Sequence, residues 1–169
     1  MNEEYISALD FAFEKYNGVK REVSNLPYII HPFRVVMILQ EFGYTEEDDQ
    51  EILISALLHD VLEESRTKLK EITVLFGERV GEIVSELTQP KRIKKDDWLE
   101  RFDSCSKEAR LIKLVDRIDN LRDMEQNNFP AVRFSRYIEQ SKIIVRTCGD
   151  ADPNLALELE LLLRNLNNR

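Results

Sequence analysis

The segment from Leu57 to Glu64 combines side chains that can hold a metal ion and move a proton. Its sequence, LLHDVLEE, ends an apolar run with one imidazole and three carboxylates, those of His59, Asp60, Glu63 and Glu64. If a helix continues through this segment, spacings of three and four residues place these groups on one side of it. Charged groups beside a buried face are costly unless they are paired or hold a metal. The segment indicates a metal centre, and a local pair between His59 and a neighbouring acid is the alternative.

Two further stretches supply candidate ligands of the same kinds. His31 lies at the mouth of a predicted helix in YIIHP, and Asp116 lies on a long predicted helix in IKLVDRIDN. Taken singly, His31 can be a helix cap, and Asp116 can pair with an Asn or Lys one turn away. Two nitrogens and two carboxylates suit Mn²⁺, Fe²⁺, Co²⁺ or Zn²⁺ better than Mg²⁺ or Ca²⁺. The combination favours one metal site formed by His31, His59, Asp60 and Asp116.

A site of this kind suits hydrolysis. Four protein ligands leave one or two positions for water on a five- or six-coordinate ion. The metal lowers the pKa of that water, and a carboxylate takes or positions its proton. Glu63 and Glu64 are the candidates for this role, because they lie three to four residues after Asp60, one helical turn away.

The elements that must position these residues are helices over nearly the whole chain, because apolar residues recur at helical intervals and no stretch alternates as a strand does. Gly43 is placed to end a helix, Ser106 is placed to begin one, and Ser65 and Thr67 can cap a short helix that ends at Phe76 and Gly77. The sequence therefore predicts one compact all-α domain over residues 1–169. Its helices are predicted at about 5–16, 32–42, 46–62 after a capping start at Thr45 and Asp48, 67–76, 78–87, 107–126, 131–148 and 153–166, with a short one near Trp98.

Composition narrows the class of partner and the compartment. The 24 Lys and Arg against 32 Asp and Glu give a formal charge of −8, which suits a nucleic-acid polymer poorly. The two cysteines make no disulfide framework, so we expect a reducing cytoplasm. No apolar run approaches the length of a membrane span. The expected partner is a small molecule, and the sequence leaves the oligomeric state open.

Four strings, taken together and in order, resemble the hydrolase domain of RelA/SpoT homologues within the HD-domain metal-dependent phosphohydrolases. The strings are PYIIHP at 27–32, ALLHDVLEE at 56–64, FGERV at 76–80 and IKLVDRIDNLR at 112–122. The stand-alone versions of that domain are small alarmone hydrolases of the Mesh1 type. The resemblance covers about residues 5–148 and implies an all-α HD-domain bundle with one Mn²⁺, other divalent transition metals being possible. It also implies hydrolysis of the 3′-pyrophosphate of ppGpp or pppGpp to GDP or GTP and pyrophosphate.

Residue by residue, the resemblance assigns roles to positions of this chain. It implies that His31, His59, Asp60 and Asp116 bind the metal. Glu63 and Glu64 match the acidic pair that activates or orients the attacking water, and Asn120 matches a residue that contacts the ribose. Tyr28, Lys113 and Arg117 fall in matching strings and are expected to line or support the substrate site.

Two positions depart from the family's usual pattern. Glu64 stands where the family usually has Asp, so its carboxylate reaches one methylene further, which bears on water placement and rate.

In the loop before His31 the family usually has Arg-Lys, with the Arg stacked on guanine, and this chain has Lys20-Arg21-Glu22. Aligned through Gly18, Arg21 stacks and Glu22 replaces the Lys. Aligned through Pro27 and Tyr28, Lys20 and Arg21 are the pair in reversed order, and Lys stacks less well than Arg. A solvated loop pair is the third reading.

Two other functions remain open at the level of sequence. A nucleotidase, or a phosphatase acting on NADPH, keeps the same metal site and releases orthophosphate instead of pyrophosphate. A non-catalytic alarmone-binding module is the second, because Glu64 and Glu22 depart from the hydrolase pattern. The intact set of metal ligands favours the hydrolase.

Overall fold

The computed structural model describes residues 2–127 and 129–167, and the regular elements named within them are all helices. An isolated bridge between Lys20 and Pro27 is the only β pairing in these residues, so the predicted all-α class is confirmed. None of the described helices is long and apolar enough to span a membrane. The helices are α1 (Glu3–Lys15), α2 (Ile30–Glu41), α3 (Gln50–Leu58), α4 (Val61–Glu64), α5 (Leu69–Leu87), α6 (Lys95–Glu100), a 3-10 turn (Arg101–Ser104), α7 (Lys107–Gln126), α8 (Ala131–Cys148) and α9 (Pro153–Asn167).

The described residues group into two compact units, and the prediction of a single domain over 1–169 stays a prediction. The first unit holds the chain up to Arg21 and from Asn25 to Thr88. Its centre is α3, which packs against α1, α2 and α5. Every residue of α3 from Leu53 to Leu58 is buried, as expected for a helix that is apolar on all sides. Each buried Leu or Ile there contributes about 1.5–3 kcal/mol, so this helix anchors whatever its C-terminal end carries.

The second unit holds Glu22–Ser24 and the chain from Gln89 onward. Its centre is α7, which contacts α8, α9 and the 3-10 turn, while α6 packs on α8. Ser106 begins α7 as predicted, because its side chain accepts a hydrogen bond from the amide of Ala109. Buried charged side chains lie along α7 among its apolar ones, which distinguishes it from α3.

The helix predicted to follow a Thr45 cap and to run to about Leu62 is wrong at both ends. Helix α3 begins only at Gln50. Helix α3 ends at Leu58, His59 and Asp60 form a turn, and α4 begins at Val61. The imidazole of His59 folds back on its own helix, where Nδ1 donates to the carbonyl of Ala56 at 2.7 Å. In a continuing helix that carbonyl would accept the amide of Asp60, so the side chain competes with the next helical bond. The predicted arrangement of His59, Asp60 and Glu63 along one helix therefore does not form.

Local turns explain where the other helices end or begin relative to the prediction. Gly43 ends α2 with a φ of 95°, as predicted. Gly77 has φ 87° and ψ 164°, which separates two straight helical stretches inside α5 and agrees with the two helices predicted there. Ser65 and Thr67 do not cap α5, which begins after Lys68. The hydroxyl of Ser65 donates instead to the carbonyl of Val61 at 2.6 Å and closes α4.

Candidate metal centre

The first unit brings together three of the four predicted ligands, His31, His59 and Asp60. His31 is the second residue of α2, and both imidazoles are 1 % exposed. The Nε2 atoms of the two histidines lie 3.1 Å apart. The Oδ2 atom of Asp60 lies 3.0 Å from Nε2 of His59 and 3.6 Å from Nε2 of His31. Two elements distant in sequence therefore place three donor atoms around one point.

These three donor atoms suit a divalent metal ion. Ligands about 2.1 Å from one ion at angles of roughly 90–110° lie about 3.0–3.4 Å from each other, close to the observed separations. Because Nδ1 of His59 donates to Ala56, its proton resides there, and Nε2 keeps the lone pair that a metal requires. The donor set is imidazole and carboxylate, which matches Mn²⁺, Fe²⁺, Co²⁺ or Zn²⁺ and does not choose among them.

Tyr28 fixes the carboxylate of Asp60. Its hydroxyl donates to Oδ2 of Asp60 at 2.6 Å, and its ring stacks on Tyr16 with centroids 5.3 Å apart. Burial, followed by the negative charge of Asp60, raises the pKa of Tyr28 far above its usual value, so the phenol remains a donor. The resemblance gave Tyr28 a lining role, and the structure adds this hydrogen bond. The sequence did not mark Tyr16 as a site residue, because its helical spacing from Leu9 and Ala12 is typical of an ordinary core residue.

The acidic pair Glu63 and Glu64 follows on α4. The amides of both residues donate to the carbonyl of Asp60, at 3.0 and 2.9 Å, so the short helix starts from the turn that carries the ligand. Partial burial, and then the charges of Asp60 and Glu63, raise the pKa of Glu64. Three carboxylates thus crowd one short segment, and a bound cation would relieve their mutual repulsion.

In the loop before His31, the two residues that are candidates for stacking on the base, Arg21 and Lys20, have side chains in different surroundings. The guanidinium of Arg21 lies 5.6 Å from the ring centroid of Tyr28, which is within cation–π range. Lys20 is exposed and lines a largely apolar cavity of about 350 Å³ with residues of α1 and the loop. Glu22 belongs to the second unit, where both of its carboxylate oxygens accept from Arg133, at 2.7 and 3.1 Å. The Arg133 guanidinium lowers the pKa of Glu22.

The second unit carries Asp116, Lys113 and Asn120 on α7. Asp116 is 4 % exposed, and both of its oxygens have partners. Nζ of Lys113 lies 2.7 Å from Oδ2, and the amide of Asn120 donates to Oδ1. The local pairing considered for Asp116 at the level of sequence is therefore present. Arg117, the basic residue next to Asp116 in the chain, stacks on Tyr137, with 3.7 Å between the guanidinium carbon and the ring centroid.

Comparison with known proteins identifies the class. The family profile described as "HD domain" matches residues 8–140, which is most of the chain. The chain belongs to the HD-domain family, and the predicted fold is confirmed. A solved structure described as a metazoan ortholog of SpoT that hydrolyses ppGpp has a TM-score of 0.90 and 30 % identity, over 98 % of this chain and 96 % of that one.

The similar proteins include guanosine-3′,5′-bis(diphosphate) 3′-pyrophosphohydrolases of three organisms. The chain is 33 % identical over 164 residues to the guanosine-3′,5′-bis(diphosphate) 3′-pyrophosphohydrolase MESH1 of Danio rerio, covering 92 % of this chain and 89 % of the relative. Identity to human MESH1 is 34 % over 168 residues, with 94 % and 92 % coverage. A guanosine-3′,5′-bis(diphosphate) 3′-pyrophosphohydrolase of Aquifex aeolicus is 40 % identical over 129 residues, which are 72 % of this chain and 18 % of that protein.

We expect His59→Ala to lower the affinity for Mn²⁺ by more than about 100-fold, because losing even an outer partner of a metal ligand costs roughly 10–100-fold. Isothermal titration with Mn²⁺ measures the affinity, and far-UV circular dichroism checks that the helices persist. Ser55→Ala is the matched control, on helix α3 just before the turn that carries His59. Ser55 is buried, and its hydroxyl has no hydrogen-bond partner among the described residues. Unchanged Mn²⁺ binding in His59→Ala would show that the His59 imidazole does not hold the ion.

Proposed function

We propose that this chain is a metal-dependent hydrolase that removes the 3′-pyrophosphate of ppGpp or pppGpp, giving GDP or GTP and pyrophosphate. The observation that carries the proposal is the convergence of Nε2 of His31, Nε2 of His59 and Oδ2 of Asp60 within 3.6 Å. Relatives whose names state this reaction cover nearly the whole chain at about one-third identity, which supports the choice of substrate. The substrate class is a small phosphorylated guanosine nucleotide.

We propose Asp116 as the fourth ligand and Mn²⁺ as the resident ion. The support for Asp116 is its position in the string IKLVDRIDNLR and its burial as a carboxylate. The HD-domain match from residue 8 to 140 spans both units, which supports one domain containing all four ligands. The mixed nitrogen and oxygen donors suit Mn²⁺ and also accept Fe²⁺, Co²⁺ or Zn²⁺.

The bound ion supplies Lewis acidity toward a phosphate oxygen and toward water. Side chains of the protein perform the other steps. Tyr28 holds the carboxylate of Asp60 in one orientation, so the ligand geometry is set before substrate arrives. Glu63 and Glu64 accept or direct the proton of the water that attacks phosphorus. The 3′-oxygen of the nucleotide leaves as the hydroxyl, and the attacked group departs as pyrophosphate.

Substrate contacts follow from the loop and α7. The arrangement of Arg21 over Tyr28 supports Arg21 as the residue that stacks on guanine, while Lys20 lies on an apolar cavity. Asn120 is assigned to the ribose, and the engagement of Lys113 with Asp116 makes Lys113 a supporting residue. An arginine plane stacks well on a base because the guanidinium is flat and weakly hydrated.

The proposed reaction predicts pyrophosphate as the product when the Mn²⁺-loaded protein is given ppGpp. We expect a rate on ppGpp at least tenfold above the rates on NADPH and nucleoside monophosphates, measured with separate detection of pyrophosphate and orthophosphate. Orthophosphate from NADPH as the dominant product would establish the phosphatase instead. Tight ppGpp binding with no product in the presence of Mn²⁺ would establish a binding module.

Glu63→Gln tests the proton-transfer role. We expect it to retain Mn²⁺ affinity and to lose about 10²–10⁴-fold in kcat, the usual contribution of a positioned acid or base. Glu82→Gln is the control, because Glu82 is an exposed glutamate paired with Arg79 on α5. Hydrolysis of ppGpp by Glu63→Gln at the parent rate would assign the role elsewhere, and the same assay on Glu64→Asp shows whether the extra methylene limits the rate.

The two alignments of the loop make opposite predictions for Arg21 and Lys20. We expect Arg21→Ala to raise the KM for ppGpp roughly tenfold, because stacking on a base contributes about 1–3 kcal/mol. Lys20→Ala should change KM by less than about twofold. Steady-state kinetics of both variants at saturating Mn²⁺ measure the difference, and a larger effect from Lys20→Ala would select the reversed pair.

A further inference from the structure

The carboxylate of Asp116 is fixed from both sides by residues of its own helix. Lys113 precedes it by three residues and bonds to Oδ2, and Asn120 follows it by four residues and bonds to Oδ1. Both spacings put the partners on the same side of α7 as Asp116. With 5 % exposure for Lys113 and 4 % for Asp116, this pair is shielded from water, where removing one partner is expensive.

The ammonium of Lys113 is enclosed on another side by aromatic rings. Its Nζ lies 4.6 Å from the ring centroid of Trp98 and 5.8 Å from that of Phe102. Trp98 is 3 % exposed and packs edge-on against Phe102, with centroids 5.1 Å apart. Trp98 is also the single tryptophan of the chain. An ammonium beside such a ring gains attraction to its face and loses freedom to turn elsewhere.

We propose that Lys113 is a positioning residue for Asp116, and that Trp98 acts through Lys113 to hold the Asp116 carboxylate in the orientation that binds the metal. This inference rests on the proposed function, because it takes Asp116 as a ligand. Lys113 and Asn120 each use one lone-pair direction of the carboxylate, so its rotation is blocked and the remaining lone pairs point in fixed directions. A ligand that is held in this way binds its ion without first being ordered.

The chain Trp98–Lys113–Asp116 also explains why a lysine can be buried at this position. An isolated ammonium in an apolar environment is strongly disfavoured, whereas one that contacts a carboxylate and an aromatic face is compensated. The observed ammonium is immobilised by groups of its own unit, which suits orientation of a ligand better than capture of a phosphate.

The test is the affinity for Mn²⁺, measured from the free-ion signal in electron paramagnetic resonance, without any substrate. We expect Lys113→Met to raise the Kd for Mn²⁺ by roughly tenfold or more, as is usual when an outer partner of a ligand is lost. Lys113→Arg keeps the charge and a donor, so its Kd should rise by less than about threefold. Lys95→Met is the matched control, because Lys95 also lies over Trp98, at 4.3 Å, and should leave the Kd unchanged.

A double-mutant cycle separates positioning from general softening of the fold. We expect Trp98→Leu to raise the Kd several-fold in the parent and to add nothing in Lys113→Met, because its effect passes through the lysine. Trp98→Phe, which keeps an aromatic face, should retain most of the affinity. If Lys113→Met does not fold, Lys113→Arg and the two Trp98 variants carry the same test. An unchanged Kd in the folded Lys113→Met and Trp98→Leu proteins, or equal losses by Trp98→Leu in both backgrounds, would overturn the inference.

Asp116→Ala distinguishes failure of this inference from failure of the proposed function. Loss of Mn²⁺ binding in Asp116→Ala together with an unchanged Kd in Lys113→Met would keep Asp116 as a ligand and remove the positioning role. Unchanged binding in Asp116→Ala would remove Asp116 from the ligand set, and the inference would fall with it.

Discussion

Two imidazole nitrogens that face each other across 3.1 Å impose the main constraint on the first unit. Both rings are buried, and the proton of His59 is directed to Nδ1 by the carbonyl of Ala56. The lone pair on Nε2 of His59 therefore points at His31 and at Oδ2 of Asp60, where a cation can satisfy all three donors at once. The apolar packing of α3 and the hydrogen bond from Tyr28 keep these atoms in place.

The break between α3 and α4 is the device that makes this arrangement possible. A continuous helix would place Glu63 beside His59 and Asp60 but would turn the side chains of His59 and Asp60 about 100° apart around its axis. The turn at His59 and Asp60 lets the imidazole bond back to its helix while the carboxylate of Asp60 turns toward Tyr28 and the histidines. It also starts α4 from the carbonyl of Asp60, which accepts the amides of Glu63 and Glu64 and so holds the acidic pair one turn from Asp60.

The second unit meets a different requirement, which is to bury a carboxylate on a helix beside partners that compensate it. Asp116 is compensated by a lysine and an asparagine one turn to either side, and the lysine in turn is enclosed by Trp98 and Phe102. This is a local solution that needs only α7 and the segment just before it. Under the proposal that Asp116 binds the metal, Lys113 and Trp98 would set the orientation in which its carboxylate meets the ion.

The sequence by itself determined the helical class, most helix limits and the identity of the candidate ligands. Period and caps are local properties, so Ser106 and Gly43 could be placed correctly, and His31, His59 and Asp60 were singled out by residue type and order. Only the tertiary structure decided that the helix stops at Leu58, that Tyr16 and Tyr28 stack beside Asp60, and that Lys113 is enclosed by Trp98. The physical reason is that side-chain hydrogen bonds and aromatic contacts compete with helical propensity through partners distant in sequence, and no local pattern encodes those partners.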